Sequence, residues 1–180
     1  KRLERPCKSW RNTQPIYSPR TPRFRPACLA MTTQRPPTID PRAAARWAQI
    51  PQTVSPWLHE EVARRMEERL VWMATQPETW VHWEPLRGGL QAHALLTQRY
   101  PKSSCFVVEA PEERAQAAMN LIAPRWWEAR RWVGGAVHPG LPPQPVQMLW
   151  ANMALHMAAD PQALIAQWSR LLAPEGFVMF

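Results

Sequence analysis

The sequence predicts an α/β fold with a doubly wound, mostly parallel sheet that stops after its fifth strand. Two observations support this prediction. Short apolar runs with β-branched residues alternate along the chain with segments whose apolar residues recur every three or four positions. Strands and helices in such alternation form right-handed βαβ units, whose strands lie parallel.

The helices are predicted from their caps and apolar stripes. One begins at Pro41, after Asp40 as N-cap. The clearest lies within 55–76, where one face carries Leu58, Val62, Met66, Leu70 and Met73. On its polar side, ion pairs four residues apart are expected between Glu60 and Arg64 and between Glu61 and Arg65.

The strands and the remaining helices follow in strict alternation. Strands are predicted at 80–84, 105–108, within 130–137, from 146 and from 177, and helices at 91–99, from 111 and from 161. Asp160 and Pro161 form a helix start. The buried stripe of that last helix is expected to contain Leu164, Ile165, Trp168, Leu171 and Leu172.

The charge of the chain lies in its first residues. The net charge is +8, and residues 1–36 hold nine of the 22 Lys and Arg but one of the 14 acidic residues. The rest of the chain is therefore neutral. We interpret residues 1–37 as a basic, Pro/Arg-rich disordered tail and 38–180 as an incomplete folded domain. Met31 is a plausible natural start, so residues 1–30 are expected either to lie upstream of the true start or to be an incidental extension.

Several classes of function are disfavoured by composition. No run approaches the roughly 18 apolar residues that a membrane helix requires. The three cysteines and five histidines show no ligand spacing, so no metal is expected. A reducing, cytoplasmic location is the default for a chain without a disulfide pattern or a secretory signal.

The predicted sheet places candidate ligand-binding residues at one edge, because parallel sheets bind ligands beyond the carboxyl ends of their strands. The first strand ends at Glu84, and Gly88 and Gly89 follow before the next helix. Glycines there let the backbone approach a nucleoside cofactor closely. Glu109 follows the second strand, 25 positions after Glu84, where an acid accepts hydrogen bonds from ribose hydroxyls.

Three segments resemble class I S-adenosylmethionine-dependent methyltransferases. They are "PWLHEEVARRMEERL", "QRYPKSSCFVVEA" and "VQMLWANMALHMAADPQALIAQWSRLLAPEGFVMF". The resemblance covers residues 38–180 and is most specific over 146–176. Within this class the chain is most similar to the malonyl-acyl-carrier-protein O-methyltransferases of biotin synthesis.

The resemblance implies a Rossmann-like domain of seven strands, two more than the predicted five. It implies S-adenosyl-L-methionine as cofactor and a small carboxylate, free or on an acyl carrier protein, as methyl acceptor. The matching cofactor-binding residues would be Glu84, Gly88, Gly89, Glu109 and the Ala151–Asn152 pair. No catalytic residue is assigned, because a carboxylate acceptor is already ionised at neutral pH.

Two alternatives stay open. The loop "EPLRGGL" has Leu86 and Leu90 where the resemblance requires glycines. A non-catalytic binding protein with a degenerate methyltransferase fold is therefore one alternative. The other is a nucleic-acid-binding or nucleic-acid-modifying protein, which the basic residues of 1–36 would explain.

Overall fold

The computed structural model describes residues 38–52, 54–123 and 134–180; the predicted tail, 1–37, lies outside this part of the chain. Its helices are α1 (Pro41–Gln49), α2 (Trp57–Arg69), α3 (Pro85–Gly88), α4 (Leu90–Arg99), α5 (Glu112–Ile122) and α6 (Pro161–Leu171). Its strands are β1 (Thr79–Trp83), β2 (Ser104–Val108), β3 (Val137–Pro139), β4 (Val146–Trp150) and β5 (Leu172–Met179). Single 3₁₀ turns occur at Leu70–Trp72 and Leu155–Met157.

The five strands form one sheet in the order β3-β2-β1-β4-β5, and all neighbouring strands are parallel. The α/β fold class is therefore confirmed. Trp83 pairs with Val108, and His82 pairs with Trp150, so β1, β2 and β4 end at the same edge. The chain leaves β1 toward β2 on one side and later enters β4 on the other, so the winding reverses between β1 and β4.

The core has two layers, because successive side chains of a strand point to opposite faces of the sheet. Trp80 packs with α2, α4 and α5, through residues such as Met66 and Leu96. Val81 and Trp83 face the opposite layer with Trp168 of α6. Both clusters consist of fully or almost fully buried side chains, as expected for a sheet covered on both faces.

Several sequence predictions need correction. The third strand begins at Val137, at the end of the predicted segment, and 130–133 lie outside the described residues. The fifth strand begins at Leu172, directly after α6, with an irregular register against β4. Leu58 and Ile165 were expected to be buried but are exposed, whereas Met66 of α2 and Trp168 of α6 are buried against the sheet. No helix among the described residues is long and apolar enough to cross a membrane.

Candidate functional site

A pocket of about 140 Å³ lies between the carboxyl ends of β1 and β4, where the winding of the sheet reverses. Glu84 and Asn152 follow these two strands and line it, and α1 and α2 contribute Trp47 and His59. In open α/β sheets, this reversal point is where ligands bind. The complete lining is Ala44, Trp47, Ala48, His59, Trp83, Glu84, Arg87, Gly88, Arg114, Asn152, Met153, Ala154, Met157, Ala158 and Leu164.

The turn after β1 is compact and almost fully buried. Glu84 has a left-handed backbone (φ 47°), which reverses the chain directly after the strand. The four-residue helix α3 follows, with every residue buried. Gly89 then adopts φ 122°, a conformation that favours glycine, and α4 begins. The predicted loop is therefore a short helix between two backbone reversals.

The first turn of α4 is capped by a residue from α2. Gly89, at the N-cap, has no side chain to offer, and the Glu60 carboxylate accepts from the amides of Leu90 (2.9 Å) and Gln91 (3.1 Å). Ser55 also donates its hydroxyl to Glu60. The predicted Glu60–Arg64 pair is thus wrong, because Glu60 faces the helix N-terminus, where a negative charge is favourable. Glu61 pairs with both Arg64 (2.9 Å) and Arg65 (2.7 Å).

Glu109 supports the same turn from the neighbouring strand. Its Oε1 accepts from the Leu86 amide at 2.9 Å, and its Oε2 lies 3.6 Å from Nε of Arg114. The Glu109 side chain is completely buried. Burial raises the pKa of this carboxyl to about 7, although the Leu86 amide and Arg114 each favour the charged form.

The Arg87 side chain extends from the turn after β1 to the end of α1. Its Nη2 lies within hydrogen-bonding distance of three main-chain carbonyls at the end of α1, those of Trp47 (2.8 Å), Ala48 (2.9 Å) and Ile50 (3.1 Å). The guanidinium also lies over the Trp47 ring, 5.5 Å from its centroid. Arg114 donates to the Ala48 carbonyl at 3.0 Å. Two arginines therefore hold α1 across the pocket, and burial lowers the pKa of Arg87.

Asn152 links the turn after β4 to the turn after β1. Its amide donates to the carbonyls of Gly88 and His59 (2.7 Å for His59). A Cβ at Gly88 would lie 2.8 Å from the Asn152 carbonyl oxygen, so only glycine fits there without a shift. His59 Nδ1 lies 2.5 Å from the Arg87 carbonyl and must donate to it, because a carbonyl can only accept.

The predicted cofactor-binding residues occupy different positions around this pocket. Glu84, Gly88 and Asn152 line it together. Glu109 lies behind the turn, against Leu86, and Gly89 faces Glu60 of α2. Ala151 is completely buried in the core, with its amide donating to Met179. Across the described ranges, no cluster of three or more His, Cys, Asp or Glu is arranged to hold a metal ion.

The sequence reasoning missed the basic half of the site. Arg87, Arg114 and His59 all line the pocket, and none of them was selected. The one signal in the sequence was Arg87 itself, a charged residue inside an otherwise apolar turn. Its partners are main-chain carbonyls, which no side-chain pattern can indicate.

A second hollow lies on the other side of Arg114. This groove, of about 800 Å³, is open and lies between the end of α1 and the start of α5. Leu86, Ala110 and Pro111 line it, and it shares Ala48 and Arg114 with the pocket between β1 and β4. It therefore borders the segment directly after Glu109.

Comparison with known proteins gives remote likenesses only. No protein-family model and no curated protein sequence matches the chain. The solved plantazolicin methyltransferase BamL, in complex with a desmethylPZN analog and SAH, is 9% identical with a TM-score of 0.45, over 67% of this chain and 43% of its own. Coclaurine N-methyltransferase bound to N-methylheliamine and SAH is 14% identical with a TM-score of 0.45, over 66% and 34%.

An O-methyltransferase from Bacillus cereus, in complex with SAH, is 16% identical with a TM-score of 0.39, over 74% of this chain and 59% of its own. The chain thus spans less than half the length of the first two structures and less than two thirds of the third. At these identities and TM-scores, function has to be argued from the site itself.

Proposed function

We propose that this chain is a methyltransferase domain that uses S-adenosyl-L-methionine. One observation carries the proposal: Glu84, Gly88 and Asn152 meet in a pocket at the point where the winding of a parallel sheet reverses. The sequence resemblance over 38–180 predicts the same edge. The finer proposal, which comes from the resemblance alone, is O-methylation of a small carboxylate, such as a malonyl group on an acyl carrier protein, in the cytoplasm.

In the proposed complex the residues would have distinct roles. Gly88 would let the backbone approach the cofactor and Asn152 would form the pocket floor, since both line the pocket. The resemblance also assigns Gly89, Glu109 and Ala151 to the cofactor, but in the conformation described these three residues lie away from the pocket. Bound there, the cofactor would supply an electrophilic methyl group on a sulfonium. The protein would contribute positioning and exclusion of water rather than a general base.

The pocket between β1 and β4 is too small for this cofactor in the conformation described. Its 140 Å³ is below the roughly 300 Å³ at which pockets for drug-sized ligands begin. The adjoining groove of about 800 Å³ offers more room, and Ala48 and Arg114, which are joined by a hydrogen bond, line both hollows. Cofactor binding in this pocket therefore requires Arg87, Arg114 and α1 to move.

Calorimetric titration of the full chain with S-adenosylhomocysteine tests the proposal. We expect saturable binding that strengthens in Arg87→Gly, because this variant empties the space above the turn. Arg170→Gly, on the exposed side of α6, is the matched control and should bind like the parent chain. An absence of heat from the parent chain and from Arg87→Gly alike would exclude the cofactor.

The position of Arg87 also favours a second candidate, a non-catalytic binding protein with a degenerate site. A side chain that fills the hollow and bonds to α1 removes the space that the glycines would otherwise leave. Under this alternative Arg87→Gly still fails to bind S-adenosylhomocysteine. The nucleic-acid alternative depends on residues 1–36 and stays a prediction.

A further inference from the structure

Arg114 lies between two acceptors that belong to different elements. Its Nη1 donates to the Ala48 carbonyl of α1 at 3.0 Å, and its Nε lies 3.6 Å from Oε2 of Glu109. The second distance is too long for a hydrogen bond. Among the described residues, Nε and Oε2 are both buried without a hydrogen-bond partner. Each of these two neighbouring atoms therefore lacks a bond that the other could supply, and a buried polar atom without a partner costs free energy.

The protonation state of Glu109 decides whether this bond can form. The neutral acid carries one hydroxyl hydrogen. Because Oε1 accepts from the Leu86 amide at 2.9 Å, that hydrogen belongs on Oε2, where it meets the Nε–H of Arg114. Two donors then oppose each other. Once the carboxyl ionises, Oε2 becomes an acceptor and can form a charge-assisted bond with Nε, which is about twice as strong as a neutral one.

The ionisable groups that act on Glu109 come from three elements. They are Arg114 of α5, Arg87 of α3 and Glu84, which follows β1. Burial raises the pKa of Glu109 most strongly, and the negative charge of Glu84 acts in the same direction. The Leu86 amide and the two arginines favour the charged form but do not outweigh burial. The resulting pKa is about 7, so this carboxyl changes its charge near neutral pH.

The element that a change at Arg114 affects most is α1, because few residues of this helix are buried. Of its nine residues, Ala44 alone is buried, so apolar burial contributes little to its docking. Hydrogen bonds from Arg87 and Arg114 to main-chain carbonyls hold its C-terminal end. A helix of nine residues is too short to persist alone in water, so α1 should unfold when it leaves the domain.

We propose that the bond from Arg114 to the Ala48 carbonyl is a pH-dependent tether of α1, which Glu109 releases when it ionises. In the tethered state Glu109 is protonated and Nη1 donates to Ala48. In the released state Nε pairs with the Glu109 carboxylate, and Nη1 moves with it because the guanidinium is planar and rigid. Since Ala48 and Arg114 line both the pocket of about 140 Å³ and the groove of about 800 Å³, release of α1 would join the two hollows.

Hydrogen–deuterium exchange of the full chain at pH 6 and pH 8 tests the tether, after correction for the intrinsic pH dependence of exchange. Protection of the α1 amides should fall by about tenfold, since opening is linked to the ionisation of one carboxyl whose pKa in the tethered state is about 7. The amides of β1, in the core, are the internal reference and should be protected far more strongly than those of α1 at both pH values. Equal protection in α1 and β1, or no change in α1 with pH, would overturn the inference.

Two variants identify the groups responsible. Glu109→Gln cannot ionise, so α1 should keep at pH 8 the protection that it has in the parent chain at pH 6. Arg114→Gln lacks the tether, so α1 should lose about tenfold or more of its protection already at pH 6 and change no further at pH 8. Glu112→Gln, at an exposed position of α5, is the matched control and should respond to pH like the parent chain. A parent-like pH response of α1 in Arg114→Gln, with the parent fold by circular dichroism, would refute the tether.

The tether concerns the position of α1, whether or not the chain uses S-adenosyl-L-methionine. One consequence rests on the proposed function: S-adenosylhomocysteine should bind up to about tenfold more tightly at pH 8 than at pH 6, because more of the chain is open. Exchange as expected, with no binding of S-adenosylhomocysteine at either pH, keeps the tether and counts against the methyltransferase assignment. Binding of S-adenosylhomocysteine without a pH response of α1 keeps the assignment and refutes the tether.

Discussion

Two connections lead from a strand to a helix at the same edge of the sheet, from β1 to α4 and from β4 to α6. We call them the α4 crossing and the α6 crossing, and they are stabilised differently. After β4 the helix α6 is capped by its own neighbour, since Asp160 accepts from the Ala163 amide at 3.1 Å. After β1 the cap of α4 is Glu60, which lies 30 positions earlier in the chain. A second carboxylate, Glu109, supports the Leu86 amide from the end of β2.

The difference shows two ways of stabilising the start of a helix, one by a neighbouring residue and one by a distant residue. The cap of α6 depends on residues that are adjacent in sequence, so it requires no other element of the fold. The first turn of α4 has no local side-chain cap, because Gly89 has no side chain, and its capping carboxylate comes from α2. The buried acids and cations of the α4 crossing are also the groups that could bind a ligand.

The largest effect is expected from Glu109→Gln, as a change in the pH dependence of stability. The ordinary pKa of this carboxyl is 4.5 and burial raises it to about 7. The parent chain should therefore lose about 3 kcal/mol of stability as pH rises through this window, because the unfolded state ionises first. The glutamine variant lacks this loss. Urea unfolding at pH 4.5 and pH 8.5 measures it for both proteins.

Comparing the two pH values removes any constant cost of the substitution, such as a weakened contact with Arg114. Glu113→Gln, at an exposed position of α5, is the control and should follow the parent curve. If Glu109→Gln and the parent chain show the same pH dependence, Glu109 is not the buried acid that the structure places there.

A smaller effect is expected from Glu60→Ala, which removes the remote cap of α4. Loss of the carboxylate that accepts from two first-turn amides should cost about 2 kcal/mol, the upper end of the range for N-cap residues. Among the described residues, the Ser55 hydroxyl, 3.3 Å from the first of these amides, is the one acceptor from α2 and its approach that stays. Glu61→Ala, one residue further along α2, is the matched control, because its partners Arg64 and Arg65 are exposed and such pairs contribute little. Equal unfolding midpoints for the two variants would contradict the remote cap.

The smallest effect is expected from Asp160→Ala, which removes the local cap of α6. A single capping bond contributes about 1 kcal/mol, so the loss should be about half of that for Glu60→Ala. Chemical denaturation of both variants under one condition gives the ratio. A larger loss for Asp160→Ala would reverse the comparison between the two crossings.

The same contrast explains how much the sequence could predict. The alternation of elements, the cap of α6 and the first residues after β1 and β4 follow from short-range patterns, and each was predicted. The role of Glu60 was not, because its spacing to Arg64 also fits an ion pair on one helix. Arg87 and Arg114 were missed because carbonyl oxygens of α1 exist at every residue and leave no mark in the pattern.

The way in which the two arginines hold α1 has a consequence for how this protein could vary between species. Apart from the Trp47 ring, Arg87 and Arg114 contact α1 through main-chain carbonyl oxygens, which every amino acid possesses. Substitutions along this helix can therefore accumulate without loosening it, provided that the helix persists. Evolutionary constraint should instead fall on Arg87 and Arg114. In an alignment, the two arginines should therefore be conserved while most of the α1 residues that they contact vary.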